Sequence, residues 1–230
     1  MKELAVRGGV NEQVRQDDPF SLARVLDRLA AGLRADVPAA SLDDALFPDR
    51  GDHDLNPDLK PGFLAERKRR AAVLVPLVER EGSVHMILTT RTEHMPTHAG
   101  QVSFPGGKID EHDAGPLAAA LREAHEEIGL DPGLVRTQGY LDLYESSTGY
   151  RIVPVVGVVA PHFTPVPEPG EVANVFEVPL AFLMDPANHQ RHSRELRGIQ
   201  RSFYAMPHGP HYIWGVTAGI IRNLYERTHR

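Results

Sequence analysis

The chain has 230 residues, 41% hydrophobic and 24% charged, with no cysteine and a formal charge of −6. That length suits one domain of ordinary size with an appendage, and the composition is that of a globular protein. The missing cysteines exclude a disulfide scaffold, a thiolate nucleophile and a cysteine zinc site. The negative balance argues against general nucleic-acid binding, and no run reaches the ~18 apolar residues of a membrane span.

Met1 to Gly9 is not followed by an apolar core, so no secretory leader is expected and a cytoplasmic location is the simplest reading. The first predicted element is a helix from Pro19 to about Arg34, with Asp18 as its cap and Leu22, Val25, Leu26, Leu29 and Leu33 as its apolar stripe. Residues 36–62, rich in Pro and Asp, read as a loop or partly disordered connector. Residues 1–66 are therefore expected to form a helix and connector, and residues 67–230 a compact α/β domain. Arg67-Lys68-Arg69-Arg70 opens that domain as a basic run, read as a solvated flank with phosphate contact as the alternative.

Residues 71–78 and 84–90 are β-branched apolar runs around Glu81-Gly82-Ser83, which predicts a hairpin. A short strand at 101–104 leads into Pro105-Gly106-Gly107. A helix follows, opened by Pro116 and closed by Gly129, with Leu117, Leu121, Ala124 and Ile128 as its predicted buried stripe. Strands are expected at 135–143, 152–159 and 172–178, then a hairpin of 202–206 with 211–214. A closing helix at 215–228 turns Val216, Ile220, Ile221 and Leu224 inward.

The chemistry concentrates in Arg122-Glu123-Ala124-His125-Glu126-Glu127-Ile128-Gly129. Glu123 lies three and four positions before Glu126 and Glu127, so the three carboxylates share one helix face, off the apolar stripe. Each like-charged pair costs an isolated helix roughly 0.2–0.5 kcal/mol, and a bound cation removes that cost. Carboxylates with water and phosphate oxygens suit Mg²⁺ or Mn²⁺. Arg122, four residues before Glu126, can hold its carboxylate. A solvated acidic face is the bland alternative; the glycine pair upstream, where backbone can approach a ligand closely, favours a site.

With Gly107 before it, this segment resembles the Nudix hydrolases, whose pattern closes on Arg-Glu, two residues, Glu-Glu, one residue and Gly. Asp113 stands where that pattern has its first Glu, and one extra residue separates it from Arg122. Leu88-Thr89-Thr90-Arg91 and His98-Ala99-Gly100-Gln101-Val102-Ser103-Phe104-Pro105-Gly106-Gly107 are similar to the extra motif of the coenzyme A diphosphatases, with Asp110 and Asp113 following. Ser146-Ser147-Thr148-Gly149-Tyr150, Pro154 to Gly157, Glu171 to Leu180 and Ile213 to Ala218 extend the resemblance over about residues 68–228. Pro96 departs from it, where an arginine is common in that branch.

The resemblance implies an α/β fold of the Nudix type, a mixed sheet sandwiched between helices (α/β/α), here with an N-terminal helical extension. It implies hydrolysis of the diphosphate of coenzyme A, and of acyl-coenzyme A, to 3′,5′-ADP and a 4′-phosphopantetheine compound, with Mg²⁺ or Mn²⁺. Glu123 and Glu127 are the expected metal ligands and Glu126 a further ligand or the base. The backbone carbonyl of Gly106 or Gly107 is another ligand candidate, and Arg122 orients a carboxylate. Arg91, His98 and Gln101 are the substrate-binding candidates of the motif, beside Gly106, Gly107 and the loop residue Tyr150. Glu145, Glu168 and Glu171 are read as surface charges with a further carboxylate ligand as the alternative. Trp214 is read as core, and His189, His192, His208 and His211 lack the context of a metal site. The expected partner is a small diphosphate, with no nucleic acid and no membrane; a homodimer is left open. ADP-ribose, a dinucleoside polyphosphate or a nucleoside triphosphate as substrate, and a non-catalytic sensor, are the alternatives.

Overall fold

The structure, a computed structural model, describes residues 18–43, 45–46, 48–57, 68–93, 99–196 and 198–229. His98, Pro96 and Arg67, all named above, lie outside them. Two long strands carry the fold. β2 (Arg69–Arg80) and β3 (Ser83–Arg91) pair antiparallel, Leu77 opposite Met86, across a two-residue turn. Glu81 (φ 52°) and Gly82 (φ 92°) both take positive φ there, as a hairpin turn matched to strand twist requires.

β2 pairs in parallel with β8 (Tyr150–Val159) from Arg69 to Val78, Ala72 opposite Val153. On its other side it changes partner. Ala71 to Val73 pair with β5 (Gly106–Lys108), whereas Leu77 to Arg80 pair with β3. Pro76, which cannot donate to a ladder, lies in the gap between the two pairings. β4 (Val102–Ser103) and β9 (Val172–Pro179) add to β3, β6 (Val135–Tyr140) and β7 (Tyr144–Glu145) to β8, and β1 (Arg50–Gly51) to β7. The sheet thus forks where the glycine turn enters it.

Two apolar layers cover this mixed sheet. One face carries α2 (Pro116–Ile128), packed through Ala119, Ala120, Ala124 and Ile128 onto Ala72, Leu74, Val155 and Ile87. The opposite face carries α4 (Gly215–Thr228) and α1 (Leu22–Gly32), with Val25, Leu29, Ile220, Ile221 and Leu224 against Val75, Leu77, Leu88 and Val156. A short helix, α3 (Leu180–Leu183), follows β9. A second sheet of β10 (Gln190–Leu196), β11 (Ile199–His208) and β12 (His211–Trp214) buries Met206 and Ile213 in the same layer. The α/β/α arrangement expected from the sequence is the one observed. No helix among the described residues is long and apolar enough to cross a membrane.

Three local readings are corrected. Ser21, not Asp18, occupies the cap position of α1; Asp18 acts one turn earlier, accepting from the Phe20 N–H at 2.8 Å. The described part of the connector is not a plain loop: Arg50 and Gly51 pair with Tyr144 and Glu145, and Asp52 accepts from the Tyr144 hydroxyl at 2.9 Å and the Ser147 N–H at 2.6 Å. The buried stripe of α2 is also displaced from the leucines. Leu117 and Leu121 are only partly covered, while the alanines and Glu127 are buried, because small side chains bring this helix close to β2 and the glycine turn.

Candidate active site

α2 is delimited by residues with local reasons to be there. Pro116 sits in its first turn, and Gly129 (φ 68°) ends it in the left-handed conformation, donating to His125 O at 2.9 Å while Leu130 N reaches Ala124 O at 3.3 Å. That geometry fixes which way each glutamate points. Glu127 is buried, with 3% of its surface exposed. Glu123 is half-buried, and Glu126 is turned out to solvent.

The glycine turn meets the helix at the carboxylates. The Gly106 N–H donates to Glu127 Oε2 at 3.1 Å, and Arg91, from the end of β3, places Nη1 3.6 Å from Glu127 Oε1. Gln101 accepts from the Arg91 N–H through its backbone oxygen at 3.0 Å. A Cβ added at Gly107 would stand 2.5–2.6 Å from the Glu123 carboxyl atoms, so the missing side chain makes room for that carboxylate. The Gly106 position is tighter still. Its φ is 153°, and a Cβ there would meet Ala72 O at 2.5 Å and Val73 Cα at 2.6 Å.

These two glycines give opposite expectations. Gly107→Ala meets only the end of a flexible side chain, so the protein is expected to fold, within about 1 kcal/mol of wild type, with Glu123 displaced and turnover depressed. Gly106→Ala meets backbone in a disfavoured conformation and is expected to cost ~3 kcal/mol or more. Thermal melts read beside single-turnover rates separate the two; equal effects on both quantities would contradict this geometry.

Arg122 locks the acidic turn together. It grips Asp113 with two bonds, Nε to Oδ1 at 3.0 Å and Nη2 to Oδ2 at 2.9 Å, and reaches Glu123 Oε1 at 3.1 Å and Glu126 Oε2 at 3.0 Å. Asp113 therefore holds this arginine bidentately despite its shorter side chain, and the Arg122 hydrogen bond keeps its carboxyl below the usual range.

Burial is the dominant force on the other two carboxyls. It pushes Glu127 up to about 7, against the pull of the Gly106 N–H and the Arg91 charge, with Glu123 and Glu171 adding to the rise. Glu123 is raised as well, first by burial, against Arg122, with Glu126 and Glu171 adding. Glu171, read from the sequence as a surface charge with a further carboxylate ligand as the alternative, is exposed. The loop before β9 is pinned by Thr92, whose N–H donates to Glu171 O at 3.0 Å and whose hydroxyl donates to Gly170 O at 3.2 Å. The Glu171 charge adds to the rise at both glutamates, an influence no local spacing signals.

The remaining candidates fall elsewhere. Tyr150 begins β8 and lies under the Arg69 guanidinium, 4.0 Å from ring centroid to Cζ. Trp214 packs on Phe203 with ring centroids 5.2 Å apart. His211 stacks on Phe176, His189 Nε2 contacts Leu183 O, and His192 Nδ1 contacts the Tyr212 hydroxyl. Among the described residues no three Asp, Glu or His side chains converge closely enough to enclose an ion by themselves. Glu123 and Glu127, both against the glycine turn, still fit a hard divalent cation that keeps water and substrate oxygens in its shell. Their mutual repulsion and the burial of Glu127 are what such a charge would relieve.

A family model described as the NUDIX domain matches residues 68–197, more than half of the chain. The chain is 43% identical over 157 residues to the uncharacterized Nudix hydrolase NudL of Enterobacter sp. (strain 638), covering 68% of this chain and 81% of that protein. It is 42% identical over 156 residues to NudL of Escherichia coli (strain K12), with the same coverage. Among solved structures, an Ap4A hydrolase of C. elegans aligns with a TM-score of 0.42 at 19% identity, over 49% of this chain and 81% of that one. RenU of M. smegmatis, a Nudix hydrolase, aligns with a TM-score of 0.43 at 23% identity, over 51% and 74%.

Proposed function

Because this chain belongs to the Nudix family, whose members here are hydrolases acting on pyrophosphate bonds, we propose that its substrate is coenzyme A. The products are 3′,5′-ADP and 4′-phosphopantetheine, and acyl-coenzyme A is cleaved at the same bond. One observation supports this most: Arg91 and Gly106, from the two halves of the coenzyme A diphosphatase motif, converge on the same buried carboxylate, Glu127. The motif is thus continuous with the catalytic cluster rather than an ornament on a distant loop.

In this reading Glu123 and Glu127 would hold Mg²⁺ or Mn²⁺, with Glu171 and the Gly107 carbonyl as further candidate ligands. A divalent cation held there would supply charge to offset that gathering on the non-bridging and leaving oxygens and would favour deprotonation of the attacking water. Glu126, outward and tethered by Arg122, is a further ligand or the group that takes the water's proton. Arg122 orients Glu123, Glu126 and Asp113 and does not touch substrate. Arg91, 3.6 Å from Glu127, is the group assigned to a diphosphate oxygen, with Gln101 setting its backbone. Gly106 and Gly107 leave space for the diphosphate to approach the carboxylates, and His98 belongs to the same recognition motif. Tyr150 contributes at the far end of the substrate.

Glu171→Gln is expected to lower metal affinity or turnover by about 10–100-fold, as loss of a supporting carboxylate does, whereas Glu168→Gln leaves both unchanged. The substrate itself is tested by product chromatography on coenzyme A, ADP-ribose and diadenosine tetraphosphate with each metal. Preferential release of 3′,5′-ADP from coenzyme A supports the proposal. Preference for another diphosphate overturns the substrate and keeps the chemistry, and no turnover of any of them by folded protein favours a ligand sensor.

A further inference from the structure

The second sheet has a bare edge. Among the described residues β10 pairs only with β11, Ser193 opposite Ser202 and Gln190 opposite Ala205. A side chain shows which way its main chain faces. The Ser202 N–H donates to Asn56 Oδ1 at 2.8 Å and the Ser202 oxygen accepts from Asn56 Nδ2 at 2.9 Å, so neither group is spent on β10. Directly opposite residues of an antiparallel pair behave alike. Ser193 therefore turns its own N–H and C=O away from β11, and Arg191 and Glu195, two residues to either side, do the same. The hairpin end agrees. Leu196 and Ile199 are partners with only two residues between them, Gly198 at φ 78°, and such a pair exchanges its main-chain bonds.

Among the described residues nothing bonds to the outward N–H or C=O of Arg191, Ser193 or Glu195. All three side chains are exposed. Neither Arg191 nor Glu195 forms an ion pair with a described residue; Arg191 leans over Tyr204, its Cζ 5.9 Å from the ring centroid.

An open edge is a template for another strand, and proteins ordinarily blunt it with charge. Here the charges are placed symmetrically. Arg191 and Glu195 lie equally far from Ser193 and carry opposite signs. A second β10, antiparallel and with the two Ser193 residues facing each other, sets each Arg191 opposite the partner's Glu195. The paired positions are the three whose main-chain groups face outward, giving roughly six inter-chain hydrogen bonds. Other registers do worse. Centring on Arg191, Arg194 or Glu195 sets like charges opposite each other, which is unfavourable. Centring on His192 leaves both charges unmatched, and a slip by one residue sets outward groups against inward ones.

We propose that β10 is a self-association edge, on which two copies of this chain pair antiparallel about Ser193 and join their three-stranded sheets into one. The occupant is a second copy because the order Arg, Ser, Glu at alternate positions is complementary to its own reverse, as a two-fold interface requires. The second sheet lies in the layer opposite α2, so the pairing leaves the glutamates of α2 uncovered and is independent of the substrate assigned above.

Sedimentation equilibrium of the full chain, from low to high micromolar concentration, tests this. Wild type is expected to approach twice the 25.4 kDa mass of one chain. Glu195→Arg sets arginine opposite arginine at both ends of the contact and is expected to weaken association by roughly 10–100-fold. Arg191→Glu does the same with glutamates. The two substitutions together exchange the charges and restore opposite pairing, so the double variant is expected to associate like wild type. Ser193→Pro removes the central outward N–H, which β11 does not use, and is expected to give a folded monomer. Circular dichroism verifies the fold of each variant. Wild type that stays monomeric over the whole range overturns the proposal. So does a dimer indifferent to both single reversals, or a folded double variant that fails to associate.

Discussion

Glu127→Gln is expected to abolish turnover, by roughly 10³-fold or more, while leaving the metal-free protein at least as stable as wild type at pH 8. The two halves of that result have one cause. Glu127 is buried, and burial pushes its carboxyl up to about 7, so the charged form is the strained one. With the folded pKa above the unfolded value, the folded chain holds the proton longer. Stability from this group is complete below about pH 4.5 and declines as pH rises through 7, by about 3 kcal/mol in all. A glutamine carries no charge to strain and still offers an oxygen to the Gly106 N–H. Thermal melts in EDTA at pH 5 and pH 8 check this: wild type should lose stability over that interval at this site and the variant should not. A variant that melts well below wild type at pH 8 would mean that Glu127 is a structural carboxylate.

Asp142→Ala is expected to have the largest effect on folding of any single change away from the active site. Asp142 is 5% exposed and gathers Arg34 Nε at 2.8 Å, Arg227 Nη1 at 3.0 Å and Asn223 Nδ2 at 2.9 Å. Burial alone would raise its carboxyl, but the Asn223 and Arg34 hydrogen bonds and the charges of Arg227 and Arg34 hold it below the usual range. It ties the end of α1 to α4 and to the strand region before β7. Removing one member of such a cluster leaves the others uncompensated, at about 3–5 kcal/mol. Arg34 is partly open to water, which places the expectation near 3 kcal/mol and a melting shift of roughly 6–12 °C. The depressed carboxyl makes this stability present at neutral pH and lost as pH falls through the folded pKa. Chemical denaturation of Asp142→Ala and Asp142→Asn at pH 7 measures it, and a change under 1 kcal/mol would contradict the network.

What was legible in the chain follows from how far apart the causes lie. The ends of α2 were readable because Pro116 and Gly129 act on their own backbone. The β2–β3 hairpin and α4 were readable because periodicity and turn chemistry are local. β10 was not: its sequence, Gln190 to Leu196, is mostly polar and charged, and only pairing with β11 makes it a strand. β1 is two residues held by β7, with no pattern to read. The Asp142 cluster joins residues 108 and 85 positions away, beyond any spacing argument. Within the site, the motif identified the glutamates, but not that Glu127 would be buried, Glu126 turned outward and Glu171 brought in from the loop before β9. The first depends on how closely three alanines let α2 approach the sheet, and the last on Thr92, far away in sequence, holding that loop.

The most direct test is calorimetry of Mn²⁺ binding at pH 6 in two buffers of different ionisation enthalpy, on wild type and Glu127→Gln. A buried carboxyl that is protonated without metal must release its proton to bind one. Wild type should therefore release close to one proton per ion, and Glu127→Gln should bind much more weakly with none released. Binding of equal strength in both proteins, with no proton released, would contradict the assignment of Glu127 as the buried metal ligand on which the proposed hydrolysis depends.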